Sequence, residues 1–175
     1  SIAYGMGLTA EKVAQQWKVS REDQDAFAVE SHRRACAAIA AGQFADEILP
    51  YAVKSYAPGV DGTVRITERL VEHDEGPRPD AAADRLGKLK PVFAARGSVT
   101  AGNSSQMSDG AAAVLLMSET ALKRYDVTPI ARFSSFAVAG VPPEVMGIGP
   151  VEAIPRALAR AGVARGQHRV DAAAA

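Results

Sequence analysis

The 175 residues carry 20 basic and 20 acidic side chains, so no net field draws the chain to DNA, RNA or an anionic membrane surface. A hydrophobic content of 47% supports a packed core and argues against overall disorder. The single cysteine, Cys36, excludes an internal disulfide framework and a cysteine-rich zinc site, which suits a reducing cytoplasm or an organelle interior. No apolar run reaches the length of a membrane span, and the amino end has neither the charged nor the apolar region of a signal peptide. The chain is therefore expected to be soluble. It opens at Ser1 without an initiator Met and closes on "HRVDAAAA", which points to a piece of a longer chain.

The segment "TAEKVAQQWKV" offers Thr9 as a cap, Glu11 for the positive helix end, and Val13 and Trp17 four apart, which predicts a short amphipathic helix. "SREDQDAFAVESHRRACAAIAAGQF" opens on the S-x-x-D capping pattern of Ser20 and Asp23 and reaches a stop at Gly42. Phe27, Ser31, Ala35, Ala38 and Ile39 form the expected buried face between them. "EILPYAVKSYA" and "TVRIT" flank the turn "PGVDG" and predict a hairpin whose first strand Pro50 delays or confines to an edge. "ERLVEHDEGPRPDAAAD" has surface-loop composition.

Beyond the loop "VTAGNSSQMSDG", the continuous apolar run "AAAVLLMS" predicts a strand covered on both faces over residues 111–117. A short helix in "ETALKRYDV" follows, then a second buried strand in residues 129–140. The final helix lies in "GIGPVEAIPRALARAG", with Pro150 in its first turn, Gly162 as its stop, and Pro155 expected to bend or delay it. Strand, helix, strand, helix after residue 110 predicts a layered α/β unit, so the chain divides near residue 100.

"GNSSQ" at 102–106 approaches a nucleophile elbow centred on Ser104, but Gln106 replaces the last glycine and the strand follows the loop instead of preceding it. Two readings stay open for this loop: a cradle for a polar ligand, which Gly102 lets approach the backbone, or a polar turn that satisfies itself. Cys36 lies inside a helix among alanines and reads as packing. His32, His73 and His168 show no metal-ligand spacing, and "GIG" at 147–149 reads as a tight turn or a weak phosphate site. Arg78, between two prolines, can present its guanidinium to a phosphate or pair with Asp74, Glu75 or Asp80.

Taken together and in order, "MGLTAEKVAQQWKVSREDQDAFAVESHRRA", "GKLKPVF", "GSVTAGNSSQMSDGAAAVLLMSE" and "VAGVPPEVMGIGPVEAIPRALARAG" resemble the thiolase family over nearly the whole chain. The degradative 3-ketoacyl-CoA thiolases are most similar, and the acetyl-CoA acetyltransferases come next. The resemblance implies an α/β fold of two layered halves with an inserted loop domain. Residues 1–105 would be the CoA-binding loop domain, 106–127 the end of the amino-terminal half and 128–175 the start of the carboxy-terminal half.

The resemblance also implies thiolytic cleavage of a 3-ketoacyl-CoA through a cysteine thioester, with acyl-CoA and CoA as substrates, no resident cofactor or metal, and a homodimer or homotetramer. No catalytic residue of the family falls on this chain, and Cys36 matches none. The binding surface does carry over. Arg78 matches an Arg at the nucleotide end of CoA, and Phe93 an aromatic that encloses it. Ala101, Gly102 and Ser105 match the loop along the pantetheine arm, with Ser105 as hydrogen-bonding partner, and Met6 matches a Met near the acyl end. Gly5 stands where many short-chain enzymes have His, and it and the longer hairpin around "PGVDG" favour the degradative type; Arg85 stands where short-chain enzymes often have a small polar residue, so no CoA contact is carried over to it. A non-catalytic thiolase-like CoA or lipid carrier, or an assembly fragment, is the alternative.

Overall fold

The structure, a computed structural model, describes residues 4–163. They fall into two compact units. One takes the described residues up to 19, the stretch 91–99 and the described residues from 105 onward; the other takes 20–90 and 100–104. His168 and the terminal alanines lie outside the described residues.

The first unit begins with α1, Met6–Trp17. It starts three residues before the expected cap, because Thr9 donates its hydroxyl to the Met6 carbonyl at 2.7 Å inside the helix instead of capping it. Its buried residues are Gly7, Thr9 and Ala14. A 3-10 helix, Pro143–Ile148, packs against α1 and buries Val145. At the carboxyl side of this unit, α5 (Gly149–Ala161) follows at once with Pro150 in its first turn and Gly162 at φ +67° as its left-handed stop. Pro155 does not delay it: the helix runs through, and the proline's missing N–H leaves only the Val151 carbonyl without its helical partner.

Residues 111–117 and 129–140 do not form the expected strands, and the layered unit after residue 110 is not built among the described residues. Leu115 is 83% and Phe133 76% exposed. An apolar run states that burial is favourable, but a strand also needs a neighbour to pair with, and neither run is paired with a strand among the described residues. The second segment is tethered instead to α5, where Arg160 Nη1 donates to the Phe136 carbonyl and Ser135 Oγ to the Ala157 carbonyl, both at 2.7 Å. Between the two segments sits the helix α4, Glu119–Tyr125, capped as Ser118 Oγ accepts from the Ala121 amide at 3.2 Å.

The second unit is organised by α2, Arg21–Ala40. Ser20 caps it by accepting from the Asp23 amide at 3.0 Å, and Gly42 at φ +70° ends it in a Schellman turn, with Gln43 N donating to the Ala38 carbonyl. The expected apolar face is covered only at Ala35 and Ala38. Phe27 is 78% exposed, whereas the shielded stripe runs through Arg21, Asp25, Ala28, His32 and Ala35, and its one buried member is the carboxylate of Asp25. Polar contacts, described below, decide this orientation over hydrophobic periodicity.

The hairpin of β1 (Tyr51–Pro58) and β2 (Val64–Val71) forms as expected, antiparallel with Tyr56 opposite Ile66, and starts just after Pro50. Gly62 at φ +78° takes the turn position that a side chain would strain, and Asp61 accepts from the Thr63 hydroxyl and amide. A short helix, α3 (Ala83–Leu86), which the composition of its loop did not suggest, packs on α2 through the buried Leu86.

Candidate functional site

In the first unit, Phe93 is held by two devices. Its ring lies against Gly7 of α1, where a Cβ would overlap it, so glycine at this place lets an aromatic ring approach the helix backbone. The loop carrying Phe93 is stitched to the same helix by Glu11. Its Oε2 accepts from the Ser98 amide at 2.9 Å and the Ser98 hydroxyl at 3.3 Å, and its Oε1 from the Val99 amide at 2.9 Å. Val92 N donates to the Val99 carbonyl at 3.1 Å and closes the loop on itself. Phe93 thus lies at the amino end of α1, whose first residue is Met6, and both side chains keep exposed surface. Ser105, also in this unit, is exposed and donates its hydroxyl to the Gln106 carbonyl at 3.1 Å.

In the second unit, the 100–104 loop is bound from inside. Thr100 is fully buried; its amide donates to Asn103 Oδ1 at 2.7 Å, and its hydroxyl accepts from the Gly102 amide at 3.2 Å. Ser104 Oγ donates to the Thr100 carbonyl at 2.6 Å, which makes this hydroxyl part of the turn. Gly102 presses onto the end of α3: a Cβ there would stand 2.6 Å from Leu89 Cδ1 and 3.1 Å from Leu86 Cγ. Ala101 remains on the exposed side. The loop satisfies its own polar groups, as the polar-turn reading expects.

Arg78 sits on the loop after β2 with an exposed guanidinium. Of its three candidate acids, Asp80 is the partner, 3.4 Å from Arg78 Nε and 2.8 Å from Arg85 Nη1; Glu75 instead faces Arg69. The Arg78 charge beside it holds the Asp80 carboxyl below its ordinary range. The Arg78 amide donates to His32 Nδ1 at 3.2 Å, which fixes the loop to α2.

Sequence reasoning missed Gly7, Glu11, Asp25 and His32. Glu11 was legible only as a helix-end acid, because its donors lie far along the chain, and nothing local marks Gly7 as the seat of a ring. Cys36 is half-buried within α2. No group of three His, Cys, Asp or Glu among the described residues can hold a metal ion, and no helix among them is long and apolar enough to cross a membrane.

Comparison with known proteins adds the family. The thiolase amino-terminal domain matches residues 1–120 and the thiolase carboxy-terminal domain residues 127–172. The chain is 56% identical over 158 residues to a 3-ketoacyl-CoA thiolase of Bacillus subtilis, covering 90% of this chain and 40% of that one. It is 50% identical to the peroxisomal 3-ketoacyl-CoA thiolase 2 of Arabidopsis thaliana, covering 90% and 34%. The crystal structure of the Bacillus anthracis acetyl-CoA acetyltransferase superposes with a TM-score of 0.83 at 41% identity, covering 94% of this chain and 39% of that one. The chain thus spans 34–40% of the length of these curated relatives and has the thiolase fold over that part.

Proposed function

The chain belongs to the thiolase family, and from that premise we propose that it is the coenzyme-A-binding part of an acyltransferase that cleaves a 3-ketoacyl-CoA into acetyl-CoA and a shortened acyl-CoA, or runs the reverse condensation. The observation that carries this reading is the 100–104 loop. Its polar groups are tied inward around the buried Thr100, leaving Ala101 exposed and Gly102 half-exposed beside it with no long side chain on either, which suits a thin pantetheine arm.

By the family resemblance, Arg78 is assigned to the anionic nucleotide end, where a guanidinium binds phosphate oxygens in pairs. Phe93 encloses the arm, Ser105 hydrogen-bonds to it, and Met6 meets the acyl end. CoA enters as substrate, with no resident cofactor. The chemistry proceeds through a cysteine thiolate that takes the acyl group as a thioester, releases acetyl-CoA and hands the acyl group to free CoA. A second cysteine moves the proton, and an oxyanion hole stabilises the developing charge. Those groups lie outside these 175 residues, which contribute binding and orientation.

We assign residues 1–105, 106–127 and 128–175 to the loop domain and to parts of the two halves, respectively. The active protein is a homodimer or homotetramer in a reducing compartment, either bacterial cytoplasm or organelle interior, and it is of the degradative type. The test is a CoA-dependent cleavage assay on the full-length protein with a medium-chain 3-ketoacyl-CoA. Release of acetyl-CoA is expected. Binding of CoA without turnover would instead fit a carrier, and absence of both would overturn the reading.

A further inference from the structure

Inside the second unit, one buried carboxylate joins three segments that are far apart in sequence. Asp25 is 5% exposed. Its Oδ2 accepts from Arg21 Nε at 2.7 Å, and its Oδ1 accepts from Asn103 Nδ2 at 2.9 Å. The same guanidinium donates through Nη2 to the Leu86 carbonyl and, at 3.1 Å, to the Leu89 carbonyl. Arg21 therefore grips the end of α3 and the turn that follows it, where the Leu86 and Leu89 side chains are the surface on which Gly102 rests. Asn103 meanwhile accepts from the Thr100 amide. The loop is thus located from both directions, through Asn103 by Asp25 and under Gly102 by the segment that Arg21 holds.

We propose that Asp25 is a positioning residue for acyl-CoA binding: paired with Arg21 and hydrogen-bonded to Asn103, it sets where the Ala101–Gly102 backbone meets the pantetheine arm. The inference rests on the acyl-CoA reading above. Asp25 itself is buried and acts through Asn103. Solvent exposure around the loop does not account for this arrangement, since a self-satisfied turn needs no buried ion pair beneath it, and burying one is costly unless every group is partnered.

The polarity of the network makes a reciprocal exchange informative. Asn103→Asp places a second carboxylate within hydrogen-bond distance of the first, and like charges there push the loop away. Adding Asp25→Asn restores the pattern in mirror form. The amide at 25 then donates to the carboxylate at 103, which still accepts from Thr100, while the amide oxygen at 25 still accepts from Arg21.

In the full-length protein, Asn103→Asp is expected to raise KM for CoA by roughly tenfold, with kcat changed by less than about threefold. The double exchange is expected to return KM to within about threefold of wild type. Hydrogen exchange of the amides in 100–104 should speed up in the single variant and recover in the double. An unchanged KM in a folded Asn103→Asp protein overturns the inference. So does a double variant that fails to fold, or that folds and keeps the raised KM. If the single variant does not fold, recovery of both folding and KM in the double supports it. Wild type that binds no CoA overturns the functional reading instead, which separates the two failures.

Discussion

Glu11 on α1 and Asp25 on α2 both turn a helix-borne carboxylate onto the stretch between residues 98 and 103, each within its own unit and by different means. Glu11 is half-buried and meets neutral donors only, two backbone amides and one hydroxyl. Asp25 is buried and meets a guanidinium that also binds two carbonyls. The first device fixes one loop to one helix. The second ties a helix, a helix end and a loop together, so its removal leaves an unpaired charge as well as a lost contact.

The largest expected effect follows from that difference. Asp25→Ala should lower unfolding free energy by about 3–5 kcal/mol, because Arg21 is left without its counter-charge. Glu11→Ala should cost about 2–3 kcal/mol, the penalty for part-buried amides that lose an acceptor. Denaturant melts of the full-length protein measure both, and equal losses would erase the distinction drawn between the two carboxylates.

A smaller effect, on affinity alone, is expected at Arg78. Its guanidinium is exposed and does not hold the fold, so Arg78→Ala should weaken CoA binding by roughly tenfold while a pantetheine thioester without the nucleotide binds nearly as before. Calorimetry with the two ligands decides, and equal loss for both removes Arg78 from the nucleotide end. The smallest effect belongs to Asp80. Because Arg78 lowers its pKa, Asp80 stays charged throughout the neutral range. Whatever this exposed pair contributes to stability is present above the ordinary carboxylate pKa and is lost as pH falls through the lowered one. Asp80→Asn should release Arg78 and improve CoA affinity about twofold at low salt, with the gain fading as salt screens it.

What was legible in the sequence was mostly local. The Ser20 cap, the Gly42 stop, the hairpin around "PGVDG" and the Ser118-capped helix all form where the residues placed them, because each depends on neighbours within a few positions. The family was legible too, from motifs that extend across nearly the whole chain. What was not legible depended on distant partners. Phe27 and Ile39 suggested the covered face of α2, yet that face follows Arg21, Asp25 and His32, whose partners are found beyond residue 77. Val114, Leu115 and Leu116 announced a buried strand, but ladder pairing needs a neighbour that composition does not name. The site shows the same division. The Gly and Ser content of "AGNSSQ" was visible, whereas the carboxylate below it was not.

Hydrogen exchange on the full-length protein with and without CoA tests the central claim most directly. The account predicts that CoA slows exchange in residues 91–99 and again in 100–104, the two stretches that Glu11 and Asp25 hold. CoA binding that leaves both stretches unchanged would contradict it, placing the ligand elsewhere and reducing these loops to structure alone.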